Sequence, residues 1–211
     1  MSEPKKITRA EQKAMRPLQI LDAAFDEFVQ SGYFGARIER IAERVGVTNG
    51  TVYVYFGTKE ILFEAMIDHI SLPFAEFRQA LAKLDGAPVQ KIIKLLTLAY
   101  DYAEDRRVRE SFRFVISEGL RFPELVDRHH AQFIEPIVAF VIATLVEGTA
   151  SGEFREQPEH YPQLVIGPLV TTIILRLMFD SRKPIDKQAF VKAHADVLLH
   201  GLLKNGLKKG V

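Results

Sequence analysis

Within seven residues, Asn49 to Tyr55, this 211-residue chain gathers an amide, a hydroxyl, two phenols and one position with no side chain at all, Gly50. A helix that carries such groups into a major groove brings them to phosphates and base edges. Asparagine pairs with adenine there, a threonine methyl packs on a thymine methyl, and glycine lets the backbone come close. That is the chemistry of recognition, not of turnover. The other candidates for chemistry are histidines. His129 and His130 stand near Glu118, Glu124 and Asp127, but adjacent helical residues diverge by about 100°, so the pair does not easily share one ion. Solvated or partly packed histidines are the simpler reading. His194 and His200, six residues apart, fall on different sides of a helix. No Gly-rich phosphate loop, Gly-x-Ser-x-Gly elbow or His-Glu-x-x-His run occurs, so neither a catalytic set nor a cofactor or metal is expected.

The elements that must position residues 49 to 55 are two short amphipathic segments around a glycine turn. Ile38, Ile41, Ala42 and Val45 recur at helical spacing and place four apolar side chains on one stripe. Gly46 supplies the left-handed residue that ends this helix. Val47 fills the corner, Thr48 is placed to accept a hydrogen bond from the next turn, and a second helix starts there with Val52 and Phe56 inward. Asn49, Gly50, Thr51, Tyr53 and Tyr55 are left for its other face. Upstream, Leu21, Ala24, Phe25 and Phe28 repeat the same spacing and predict a first helix.

Read together, Gly32-Tyr33 and the run Ile41-Ala42-x-x-x-Gly46-Val47-Thr48-x-Gly50-x-x-Tyr53-x-x-Phe56-x-x-Lys59-Glu60-x-Leu62 resemble the TetR-type transcriptional regulators. The resemblance covers roughly residues 16 to 66. It implies that Tyr53, Tyr55 and Lys59 touch phosphates while Asn49, Gly50 and Thr51 lie nearest the base edges, with Thr48 at the helix start. The pattern departs from the family at one place, where Thr followed by Ser or Thr is usual and this chain has Ala36 and Arg37. A missing N-cap hydroxyl costs about 1 kcal/mol of helix-end stability unless the backbone or Gly35 compensates. Arg37 is instead expected to reach a phosphate.

Charge sets a limit on such a role. The net charge is +1, and from Pro17 to Glu60 four basic residues (Arg37, Arg40, Arg44, Lys59) face six acidic ones. Attraction to DNA is therefore expected from an N-terminal arm containing Lys5, Lys6, Arg9, Lys13 and Arg16 and from helix N-termini. That arm lacks the apolar stretch of a signal peptide. The longest uncharged run, Tyr161 to Leu175, is broken by Gly167-Pro168 and is shorter than the roughly 20 residues that span a bilayer. A cytoplasmic location without a membrane partner is the expectation. The absence of cysteine excludes disulfides, thiolate zinc sites and cysteine nucleophiles.

Beyond Lys59 the pattern stays helical. Thr58 is placed to cap a helix carrying Leu62, Phe63, Met66 and Ile70, and breaks follow at Pro73 and at Gly86 to Pro88. Phe112, Val115, Ile116 and Gly119 predict one buried stripe, and a long helix with an apolar second half runs from Leu125 to Leu145. Tyr161 to Phe179 is apolar nearly all round, which requires cover on more than one side. The simplest cover is a second copy, with the last two helices of each chain forming a four-helix interface that includes Thr172 and Leu198. The resemblance points the same way.

The sequence thus predicts an all-α protein of about nine helices. A flexible basic arm spans 1–15, a helix-turn-helix DNA-binding domain 16–70, and a ligand-binding and dimerisation domain 71–211. Expected partners are a palindromic DNA operator, a second copy of the chain and a small apolar effector that releases a repressor. Tyr100, Phe112 and Phe133 are the candidate lining residues for that effector, with Arg113, Arg176 or a histidine as polar anchor. Filling a plain core is the competing role for these aromatics. A ligand-binding or scaffold protein without specific DNA binding, or a helical enzyme, are the alternative readings of the whole chain.

Overall fold

The computed structural model describes residues 9–156, 161–179 and 186–204. Among them lie α1 (Arg9–Gly35), α2 (Ile38–Val45), α3 (Asn49–Phe56), α4 (Lys59–Ile70), α5 (Leu72–Leu81), α6 (Pro88–Tyr102), α7 (Arg106–Glu118) and α8 (Pro123–His129). A π turn over His130–Ile134 runs on into α9 (Glu135–Ala150), and α10 (Gln163–Phe179) and α11 (Lys187–Leu202) follow. The all-α fold is the expected one, with α4 and α5 divided at Ser71 and α8 and α9 divided by the π turn. The chain divides into two compact units at Leu72 and Pro73.

Unit 1 holds α1 to α4. Gly32, at φ 67°, breaks the helical path of α1, a backbone conformation that favours glycine. The structure revises the expected flexible arm. Lys5 and Lys6 lie outside the described residues, but Arg9, Lys13 and Arg16 belong to α1. Arg16 Nη1 donates to the carbonyl of Val45, 3.2 Å away, and so serves the open C-terminal end of α2. Ile20, Ala24 and Phe28 of α1, Ile41 of α2, Val52 of α3 and Leu62 and Met66 of α4 are buried.

Unit 2 has one apolar core built from α5 to α7, the π turn, α9, α10 and α11, with Phe74, Phe77, Leu96, Phe133, Val141, Leu145 and Ile173 among its members. The expected stripe on α7 is corrected here. Val108, Ser111, Phe112, Phe114 and Glu118 are the buried side chains, whereas Ile116 is exposed. Arg113 lies over the Phe114 ring, which closes that side of the helix. The continuous stretch Pro123–Ala150 is long and apolar enough to cross a membrane by length and composition. Its Phe133, Ile137, Val141 and Leu145 are members of the core of unit 2, while Ile142 and Val146 are exposed.

Candidate nucleic-acid interface

Two capped ends and one αL glycine fix the geometry of α2 and α3. Gly46 (φ 70°, ψ 40°) terminates α2, and the N–H of Val47 reaches back to the Ala42 carbonyl at 2.9 Å. Thr48 Oγ1 accepts from the backbone N–H of Thr51 at 3.3 Å and shares a 3.0 Å hydrogen bond with Thr51 Oγ1. Thr58 caps α4 in the same way through the N–H of Ile61. These three features were legible in the sequence.

The start of α2 was only half legible. Arg37 is its N-cap residue and makes no side-chain cap, as expected. The local backbone compensates in part, since the Arg40 N–H reaches the Arg37 carbonyl at 3.2 Å, and α1 supplies a further acceptor. Glu27, a residue of α1 with no solvent exposure, accepts the N–H of Arg37 on Oε1 at 3.2 Å and the hydroxyl of Ser31 at 3.3 Å. Arg40 Nη1 and Arg44 Nη2 each approach the same carboxylate to 3.5 Å. One buried carboxylate therefore tethers α1 to the first turn of α2, and two of the four basic residues of the motif are turned toward it. The sequence held a signal for this. Glu27 sits three and seven residues after Ala24 and Ile20, on the stripe that α1 buries.

Lys59, expected at a phosphate, is also engaged within unit 1. Its Nζ donates to the carbonyls of Ala36 (2.7 Å) and Phe34 (3.3 Å) and lies 5.0 Å from the centre of the Tyr33 ring. Tyr33 in turn donates its hydroxyl to Glu60 Oε1 at 2.8 Å. The lysine thus neutralises carbonyls at the end of α1. Lys59→Ala is expected to cost unit 1 about 1–2 kcal/mol by leaving those charge-assisted bonds unmade. A urea melt of the variant that matches the wild type would contradict this anchoring role.

On α3, Val52 is buried, while Gly50, Tyr53 and Val54 are exposed and Asn49, Thr51 and Tyr55 are half-buried. Phe56, expected to point inward, is only half-buried. Asn49 Nδ2 donates to Glu39 Oε1 of α2 at 3.2 Å, so its amide is held at the α2 side of the helix. Val54, 83% exposed, is the outward residue that the reading of polar groups passed over.

The candidate effector residues are all buried in unit 2. Phe112 and Phe133 meet edge to face at 5.5 Å, and both pack on the ring of His129, which also meets Phe74. Burial pushes His129 down to about 4, its Nε2 has no hydrogen-bond partner, and His130 beside it is exposed. Tyr100 lies with α11, its hydroxyl 3.1 Å from His194 Nδ1. Burial raises that phenol to about 12 and lowers His194, so the pair is neutral. The three expected lining residues therefore serve as core side chains. An open apolar groove of about 410 Å3 does occur in unit 2, lined by Leu164, Val165, Pro168, His194, Val197 and Leu198 among others, and none of the three lines it.

Comparison with known proteins follows the same division. Residues 20–66 match the pattern of bacterial regulatory proteins, tetR family. Over 97 residues the chain is 37% identical to the HTH-type transcriptional repressor NicS of Pseudomonas putida, a match that covers 44% of each protein, less than half the length of that relative. The Fatty acid metabolism regulator protein of Bacillus subtilis is 24% identical over 195 residues, 90% of this chain and 97% of the other. Among solved structures, the transcriptional regulator FadR from Bacillus subtilis in complex with stearoyl-CoA is similar at 23% identity and TM-score 0.64, covering 87% of this chain and 98% of that one. At that identity the likeness is one of fold.

Proposed function

We propose, for a chain whose N-terminal unit belongs to the tetR family of bacterial regulatory proteins, that it is a cytoplasmic DNA-binding transcriptional regulator, a repressor released from a palindromic operator by a small apolar ligand. The observation that carries this reading is the face of α3. Val52 is turned in while Gly50, Tyr53 and Val54 stand exposed on a helix fixed by Thr48 and Gly46. A dimer would set two such helices about 34–36 Å apart, in successive major grooves. With Arg40, Arg44 and Lys59 making contacts inside unit 1, few cations of the described helix-turn-helix are left over for phosphates, and a shallow salt dependence is expected from it. Arg37, Thr48, Asn49, Gly50, Thr51, Tyr53, Tyr55 and Lys59 remain the proposed contacts, Lys59 serving also as an anchor inside unit 1. Fluorescence anisotropy with the DNA upstream of the chain's own gene tests this. Binding no tighter than to an unrelated duplex would favour a ligand-binding protein without operator recognition.

Dimerisation through α10 and α11 is supported by apolar side chains that the chain itself leaves uncovered, Leu164 (71% exposed), Met178 (63%) and Val197 (73%). Leu198 is half-buried, but Thr172 is corrected as a probe. It is 4% exposed and its hydroxyl donates to the Pro168 carbonyl, so a charge there would test folding. Val197→Arg is expected to give a stable monomer, because an exposed substitution costs the chain within about 0.5 kcal/mol while a charge in an interface is expensive. Light scattering at micromolar concentration showing an undiminished dimer would reject this interface.

For the effector, the abundant aromatic core of unit 2 supports an apolar ligand whose entry opens that core and shifts the dimer between two spacings. Because the Bacillus subtilis FadR structure holds stearoyl-CoA, long-chain acyl-CoA heads the panel for thermal-shift screening. A true effector lowers operator affinity by a coupling of about 1–3 kcal/mol, and operator lowers effector affinity equally.

A further inference from the structure

The centre of the exposed face of α3 carries no polar group. With Val52 as the inward direction and about 100° per residue, Gly50 and Val54 fall about 160° away on either side, Thr51 and Tyr53 about 100°, and Asn49 and Tyr55 about 60°. Exposure agrees, at 83% for Val54 and 47% for Tyr53. Gly50 adds a second observation. A Cβ built there would meet only Thr48 Oγ1 at 3.7 Å, an ordinary contact, and its φ is not in the left-handed region. Nothing inside the protein therefore requires glycine at 50, although glycine in a helix is unfavourable relative to alanine. A bare stretch of backbone beside an isopropyl group held in water gains only when an apolar surface closes over both. In a major groove the apolar feature of the base edges is the C5-methyl of thymine.

We propose that Gly50 and Val54 together form a methyl-reading contact. Gly50 lets the α3 backbone approach the base edges, and the Val54 isopropyl packs on the C5-methyl of one thymine in each half-site. The inference rests on the DNA-binding reading above and assigns one of its specificity determinants. A 5-methylcytosine carries the same methyl at the same edge and is accepted in the same way.

The test begins with duplexes enriched by the wild-type protein from a random pool. Each thymine is then replaced by deoxyuridine, which removes the methyl and keeps every hydrogen-bonding group. At one thymine per half-site the wild type is expected to lose about fourfold, and roughly sixteenfold when both half-sites are changed. Val54→Ala loses as much on the unmodified duplex and nothing further on the deoxyuridine duplex. Gly50→Ala weakens binding while its melting temperature stays equal or rises, an outcome that damage to the fold would not give. Deoxyuridine sensitivity that persists undiminished in Val54→Ala, or full affinity in Gly50→Ala, overturns the contact and leaves DNA binding standing. A pool that yields no enriched sequence overturns the DNA-binding reading, and the contact with it.

Discussion

Glu27→Ala is expected to remove about 2–4 kcal/mol from the stability of unit 1. The sum has two parts. The Arg37 N–H and the Ser31 hydroxyl, in part-buried bonds, lose their acceptor, a loss toward the lower end of the roughly 1–3 kcal/mol that an unmade buried bond costs. Truncation at a site with no solvent exposure also leaves a cavity, whose cost scales with the volume that the surrounding helices fail to fill. The two arginines contribute less, since their side chains are 51% and 40% exposed and return to water when the carboxylate goes. A unit of this size holds roughly 0.05–0.15 kcal/mol per residue, so the loss is a large share of its total. Glu27→Gln separates the two functions of the side chain. Its amide oxygen still accepts from Arg37, so it should keep more than half of the stability that the alanine variant loses. Denaturant melts followed by circular dichroism decide the matter. Equal losses in both variants would mean that the charge, and not the cap, is what Glu27 supplies.

How the sequence concealed Glu27 bears on how much else it revealed. Helical spacing placed α2, the turn and α3 correctly because each is specified locally, by Ile38 to Val45, by the αL glycine at 46 and by the Thr48 hydroxyl. Interactions between helices are not local. Counting apolar residues on α1 passes over an acid on the buried stripe, and nothing in the spacing of Arg40 and Arg44 says that their partner lies 13 and 17 positions upstream. Lys59 escaped for the same reason, since its acceptors are carbonyls at the end of another helix. On α3 the omission was of another kind. Sorting residues by hydrogen-bonding capacity selected Asn49 and Tyr55, which flank the buried side, and omitted Val54, which points straight out. In unit 2, burial of Phe112 was readable from its spacing, and Phe133 and Tyr100 are buried with it. Whether they line a space or fill it depends on side-chain volumes summed over several helices, which no single periodicity records.

Acid is expected to weaken unit 2 through His129. The ring lies among Phe74, Phe112 and Phe133, 7% exposed, and burial holds its pKa down at about 4, against an ordinary value of 6.5. The unfolded chain therefore takes up a proton first as pH falls. Above about 6.5 both states are neutral at this site and the full stability is present. Between about 6.5 and 4 only the unfolded state gains a proton, so stability drops with pH, and below about 4 the loss levels off. A depression of this size corresponds to about 3 kcal/mol over that window. His194, lowered in the same direction by burial beside Tyr100, adds to the trend. Carboxylates also titrate at acid pH, so the diagnostic quantity is the difference between the wild type and His129→Leu. The variant removes a ring nitrogen that is buried without a partner, and exchanging such an atom for an apolar group of similar volume is close to neutral or favourable at pH 7. Thermal melts at pH 7, 5.5 and 4.5 are expected to converge on the variant being the more stable protein at the lowest pH. If wild type and His129→Leu lose stability in parallel across that range, the ring is not held neutral by the aromatic core, and the acid response belongs to the carboxylates alone.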